Sequence, residues 1–155
     1  MNKQSYIEPE HIQIPEGSFL MGSKNGSSNE APIHTVWVDS FAIGKYPVTN
    51  REYALFIKMK AYPPPPFWNK PNFSTPDHPV VGTSWYDANT YCNWLKELTG
   101  KPYLLPTEAE REKAARGGVE GCEYSWGNKL PGNHLGGRND YLTIKGTEEK
   151  NGYNL

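Results

Sequence analysis

The sequence predicts an α+β fold rich in irregular backbone, and three observations carry that prediction. A Ser or Thr is followed three residues later by Glu or Asp at Thr49/Glu52, Ser84/Asp87 and Thr107/Glu110, each ahead of an apolar stripe. Hydroxyl and carboxylate in that spacing satisfy the amides that a first helical turn leaves free, so each pair marks a helix start. Short runs such as Ile12/Ile14, Phe19/Met21 and Val36/Val38 alternate apolar with polar, the period of a half-buried strand. Fifteen Gly and fourteen Pro in 155 residues interrupt the chain too often for a helix bundle or a doubly wound sheet.

Taken in order, residues 1–11 read as a leader or tail. Ile12 and Ile14 then predict a strand, Pro15-Glu16-Gly17 a turn, and Phe19 and Met21 a returning strand, together a hairpin. The Ser, Asn and Gly of residues 23–30 predict a loop. His34 to Val38 predicts another strand. His34 itself has no metal-ligand spacing to His11 or His78, so an ordinary hydrogen bond is expected of it. Thr49 opens a first helix whose inward face is Tyr53, Phe56 and Ile57. Four consecutive prolines, Pro63–Pro66, follow in an extended stretch that reads as a rigid surface excursion. Val80 and Val81 predict a short strand. Ser84 opens a second helix with Ala88, Tyr91, Cys92, Leu95 and Leu98 on one face, and Gly100 stops it. Cys92 and Leu95 are expected to face the strands, and Trp85 and Trp94 to bury their rings against loops. Thr107 opens a third helix, closed by Gly117-Gly118.

Composition excludes several functions. Net charge is −1 with no basic run, so the footprint of a nucleic-acid binder is absent. No apolar run has the length that crosses a bilayer, so no membrane role is expected. MNKQSYIEPEH carries no apolar signal core, which points to a cytoplasmic location. Two cysteines, Cys92 and Cys122, are too few for a disulfide framework. Cys92 reads as a small buried hydrophobe on its helix face, and Cys122 as a loop thiol.

PVVGTSWYDANTYCNWL, LPTEAE and AARGG, between Pro79 and Gly118, resemble the signature of the formylglycine-generating enzyme family, the sulfatase-modifying-factor domain. SFLMGS at Ser18–Ser23, EAPIHTV at Glu30–Val36, FAIGKYPVTNREYALF at Phe41–Phe56 and YSWGN at Tyr124–Asn128 fall in the family's order. Ordered segments of this number make a specific match. The resemblance implies the family's variant of the C-type-lectin-like fold, with residues 1–155 as the N-terminal part of one domain and its C-terminal half absent. It implies that intact relatives use copper and oxygen to convert a cysteine of a sulfatase-type polypeptide to formylglycine. Neither Cys92 nor Cys122 matches the family's copper-binding pair, so no catalytic residue is expected in this chain.

The resemblance also implies a calcium site: the Asn133 side chain, the His134 carbonyl, the Asp140 carboxylate and the Leu142 carbonyl. Oxygen ligands from irregular backbone suit that hard cation. The chain departs from the family at Leu104, where arginine is usual, and at Arg111 and Lys113, where Trp and Tyr are usual. Cationic side chains there are expected to lay their stems on apolar surface and keep their heads in water. Three functions follow: part of a formylglycine-generating oxidase, a non-catalytic binding or structural member with bound calcium, or a relative of the iron-dependent sulfoxide synthases. Uncovered strand edges and apolar surface predict self-association or a complementing chain.

Overall fold

Four strands, β1 (His11–Ile14), β2 (Gly17–Met21), β3 (His34–Val38) and β4 (Phe41–Gly44), pair as two two-stranded antiparallel sheets, β1 with β4 and β2 with β3, which follow one another along a ribbon. The computed structural model describes residues 6–24 and 27–118. These fall into two compact units, one of residues 10–45 and 106–118, the other of residues 6–9 and 46–105.

In the first unit β1 pairs with β4, His11 opposite Gly44, and β2 pairs with β3, Gly17 opposite Val38. In both ladders the numbers of facing residues sum to 55 (11 with 44, 17 with 38), so the register never slips. The ribbon is interrupted only where Pro15-Glu16 lies opposite Asp39-Ser40. Pro15 has no N–H to give to a ladder, which accounts for the break on its side. The expected hairpin between β1 and β2 is therefore corrected. Both strands exist, but the chain continues through Pro15-Glu16-Gly17 and returns through residues 34–44. β4 was not anticipated. Ile14 and Val38 supply the buried apolar side of the ribbon, and α3 (Glu108–Arg116) packs on β2 and β3.

The second unit contains α1 (Asn50–Lys60) and α2 (Trp85–Thr99). Thr49 and Ser84 each accept from the backbone of the third helical residue, while Glu52 and Asp87 reach back, so both capping boxes form as predicted. α3 in the first unit begins in the same way at Thr107 and Glu110. Gly100 and Gly117 end α2 and α3 at φ +71° and +62°, where a Cβ is strained.

The core of this unit is Tyr53, Phe56, Tyr91, Trp94 and Leu95. Tyr53 stacks on Tyr91 at 5.5 Å, and the Phe56 ring meets Tyr91 edge-on at 5.6 Å and Trp94 at 5.5 Å. Rings of this size bury about 150–250 Å² each, so four of them with Leu95 build a core from a chain only 36% apolar.

Five expectations are corrected here. Leu95 faces α1 rather than strands, Cys92 is only partly buried, and Leu98 at the end of the stripe is exposed. Trp94 is buried as expected, but Trp85 is 63% exposed. Val80-Val81 forms no strand. Its neighbourhood makes a single bridge, Thr49 opposite Pro79, and Val80 N donates to Val48 O at 2.9 Å. The proline run packs as a surface excursion with Pro65 buried. A Cβ on Gly82 would come within 2.8 Å of the Pro66 carbonyl, so that close approach requires glycine.

Candidate functional site

Polar side chains converge in three places, one in the first unit and two in the second. The first is the inward face of α3. Lys113 is 5% exposed, and its ammonium donates to the carbonyls of Pro15 at 2.7 Å, Gly17 at 2.9 Å and Val38 at 3.3 Å. This overturns the expectation of a hydrated head. The ribbon's break turns carbonyls toward α3, and a buried carbonyl without a partner is costly, so a cation there is favoured over the usual aromatic ring. Arg111, two residues earlier, is exposed as expected.

On the same helix, Glu112 and Arg116 hold Gly22. Gly22 N donates to Glu112 Oε1 at 2.8 Å, and Arg116 donates to Gly22 O at 2.7 Å and to Glu112 Oε1 at 2.5 Å. Gly22 sits at φ +99°, and a Cβ there would lie 2.5 Å from the Glu30 carbonyl. Two motifs far apart in sequence, SFLMGS and AARGG, thus meet in one backbone clamp. Lys113 Nζ, Glu112 Oε1 and the Arg116 guanidinium all bond to backbone or to each other, so this cluster positions the ribbon.

The second place is a cleft of about 510 Å³ at the start of α1, lined by Asn50, Arg51, Trp68, Asn69 and Ser74 with Ala54 and Pro76. The buried Asn50 amide donates to the carbonyls of Phe73 at 2.7 Å and Thr75 at 2.8 Å. The first-turn amides of Asn50 and Arg51 donate to His78 O and Pro76 O at 2.9 and 2.8 Å. Arg51 makes a forked pair with Asp77 at 3.0 and 3.1 Å, which raises the guanidinium further above its ordinary pKa. These bonds fasten the 68–78 loop over α1. Sequence reasoning missed this cleft. Its only local signal was Asn50-Arg51 directly after the Thr49 cap, which reads as a helix start.

A third group is structural. The Tyr62 hydroxyl donates to Asp87 Oδ1 at 2.7 Å, while Asp87 Oδ2 accepts from the Ser84 amide and hydroxyl at 2.7 Å. The Tyr62 bond, then the Ser84 bonds, hold the Asp87 carboxyl below its usual range. The same unit buries the hydroxyls of Tyr53 and Tyr91 with no hydrogen-bond partner among the described residues, and burial pushes both phenols well above their ordinary value.

The residues predicted to bind calcium, Asn133, His134, Asp140 and Leu142, lie outside the described residues, as does Cys122. Cys92 is a free, partly buried thiol on α2, and burial pushes its pKa up, away from the reactive thiolate. Copper(I) needs soft sulfur ligands gathered at one point. Among the described residues there is one thiol and no group of three His, Cys, Asp or Glu side chains able to hold a metal. The described residues therefore do not fit a copper site. His34 makes the ordinary bond expected of it, Nδ1 lying 2.9 Å from Pro32 O. No helix among the described residues is long and apolar enough to cross a membrane.

Comparison with known proteins places this architecture. A family model described as the sulfatase-modifying factor enzyme 1-like domain matches residues 1–152. The chain is 33% identical to a formylglycine-generating enzyme of Thermomonospora curvata, over 77% of this chain and 52% of that protein. It is 31% identical to the inactive C-alpha-formylglycine-generating enzyme 2 of Mus musculus, over 81% of this chain and 53% of the relative. Among solved structures, PvdO from Pseudomonas aeruginosa superposes with a TM-score of 0.62 at 31% identity, covering 75% of this chain and 54% of that one. The chain spans about half the length of the curated relatives it matches.

Proposed function

The chain belongs to the sulfatase-modifying factor enzyme 1-like domain family, and from that premise we propose that it serves as scaffold for formylglycine-generating chemistry. In that reaction oxygen oxidises a cysteine of a sulfatase-type polypeptide to formylglycine with copper as the catalytic metal; the cysteine sulfur leaves as sulfide, and a reductant supplies the two further electrons that reduce oxygen to water. The observation that carries the reading is the α3 clamp. Gly22, Glu112 and Arg116 spend family-motif residues on fixing the ribbon. The described residues thus position backbone, and the one described thiol, Cys92, is turned away from reactivity by burial. Calcium belongs to the same proposal. Asn133, His134, Asp140 and Leu142 supply an oxygen set suited to that ion, which would pin the loop carrying them.

The experiment incubates the purified chain with copper, oxygen, a thiol reductant and a peptide containing CxPxR, and reads the products by mass spectrometry. It is run with the chain alone and with a polypeptide covering the part of a formylglycine-generating enzyme that the chain does not match. Aldehyde formed only in the mixture supports the scaffold role. Aldehyde formed by the chain alone, and lost on Cys92→Ser or Cys122→Ser, would place the chemistry in this chain and refute it. No aldehyde in either sample favours a second reading, a non-catalytic binding member. Relatives named as inactive, at 31% identity in Mus musculus and 33% in Bos taurus, are the observation behind that alternative.

A further inference from the structure

We propose that the cleft at the start of α1 is a binding site for one neutral saccharide unit, stacked on Trp68 and held by the polar side chains around it. A pyranose presents an apolar C–H face and a rim of hydroxyls that both donate and accept. Trp68 offers the matching apolar surface. It is partly exposed on the cleft side, and its ring is braced by Tyr53, with centroids 6.1 Å apart. The rim is mixed in the way hydroxyls require: the exposed Asn69 amide carries donor and acceptor atoms, Ser74 has a hydroxyl, and Arg51 has donors left over from its fork, while the Asn50 amide N–H groups are spent on Phe73 O and Thr75 O. The cleft, about 510 Å³, lies within the roughly 300–1,000 Å³ of small-ligand sites.

Other ligand classes fit less well. An anion would seek free amides at the helix start or an unneutralised guanidinium. Here the amides of Asn50 and Arg51 already donate to His78 O and Pro76 O, and Asp77 neutralises Arg51. A purely apolar ligand would desolvate the Asn69 amide without offering it a partner. The walls are also preformed: Asn50 bonds to Phe73 O and Thr75 O, and the Phe67 and Phe73 rings lie 5.7 Å apart behind the loop. A preformed site spends little binding free energy on ordering its loop.

The test uses the ¹⁵N-labelled full chain and its tryptophan indole resonances, with Trp68 assigned by Trp68→Phe. The probes are methyl glucoside, methyl galactoside, methyl mannoside, N-acetylglucosamine and cellobiose, with sodium sulfate and a proline-rich peptide as competitors of other classes. At least one sugar should shift the Trp68 resonance saturably, with Kd of about 1–10 mM. Asn69→Ala, read on the Trp68 indole, and Trp68→Ala, read on the backbone amide of Asn69 because the indole is gone, should each weaken binding by about tenfold or more. Asn69 is exposed, so its variant keeps the fold and guards against misreading an unfolded Trp68→Ala. The proposal is overturned if no sugar gives a saturable shift below about 50 mM, if the affinity is unchanged in both variants, or if sulfate or the peptide binds more tightly.

Discussion

Lys113→Met tests the buried ammonium directly. Methionine nearly matches the stem of lysine but removes the donor. Three carbonyls lose a charged partner at 2.7, 2.9 and 3.3 Å. Hydrogen bonds to a charged group contribute about 1.5–3 kcal/mol net, and a buried acceptor left unpaired costs about 1–3 kcal/mol. The 3.3 Å bond counts for little, so two bonds matter. Methionine returns part of the loss by avoiding the desolvation of an ammonium. The balance is a destabilisation of about 2–4 kcal/mol. In urea titrations followed by circular dichroism, with slopes of about 1–3 kcal/mol/M, that lowers the midpoint by about 1–2 M. Arg111→Met, two residues away and exposed, should stay within about 0.5 kcal/mol of the parent. A Lys113→Met midpoint indistinguishable from that of Arg111→Met would refute the reasoning, because the head would then be hydrated rather than bonded.

Further outcomes follow from the second unit and the proposed calcium set. Leu95→Ala should cost about 2–5 kcal/mol, because Leu95 is 2% exposed among four aromatic rings; Trp85→Ala should stay within about 0.5 kcal/mol, and the reverse order in thermal unfolding would contradict the packing. Asp87 has a folded pKa below its unfolded value of about 3.9, so its stabilisation is complete above that pH and is lost as pH falls through the folded pKa. Asp87→Asn and Tyr62→Phe should therefore flatten the acid limb of a stability-versus-pH curve below about pH 4, and an unchanged limb in both would contradict the assignment. Calcium should raise the melting temperature of the full chain with concentration, since a ligand of the folded form alone stabilises it. Asp140→Ala should abolish that rise, and no rise in the parent at about millimolar calcium would remove the proposed site.

By itself the sequence determined whatever is decided within one turn of chain. Thr49 with Glu52, Ser84 with Asp87 and Thr107 with Glu110 lie three residues apart, and both partners of each box move with the same helix start. Gly100 and Gly117 end their helices for an equally local reason, a left-handed φ. The helix faces were legible as well, since Tyr53, Phe56, Tyr91 and Leu95 fall on the periodicity that buries them. The ordered motifs also gave the family.

Tertiary structure decided which partner each face meets. Periodicity marks β1 as a strand, but only closure across residues 22–33 pairs it with β4 rather than with β2. Lys113 on a helix reads as a solvated cation until carbonyls 75 to 98 residues earlier in the chain surround it. Trp85 and Trp94 are the same residue type on one helix, yet α1 covers only the second. The cleft is of the same kind. Asn50 and Arg51 look like a helix start, and they line a site only because the loop returns 18 to 26 residues later to lay Trp68 and Asn69 beside them and Asp77 against Arg51. Burial and charge pairing are properties of where distant segments arrive, and no local pattern in the chain encodes that arrival.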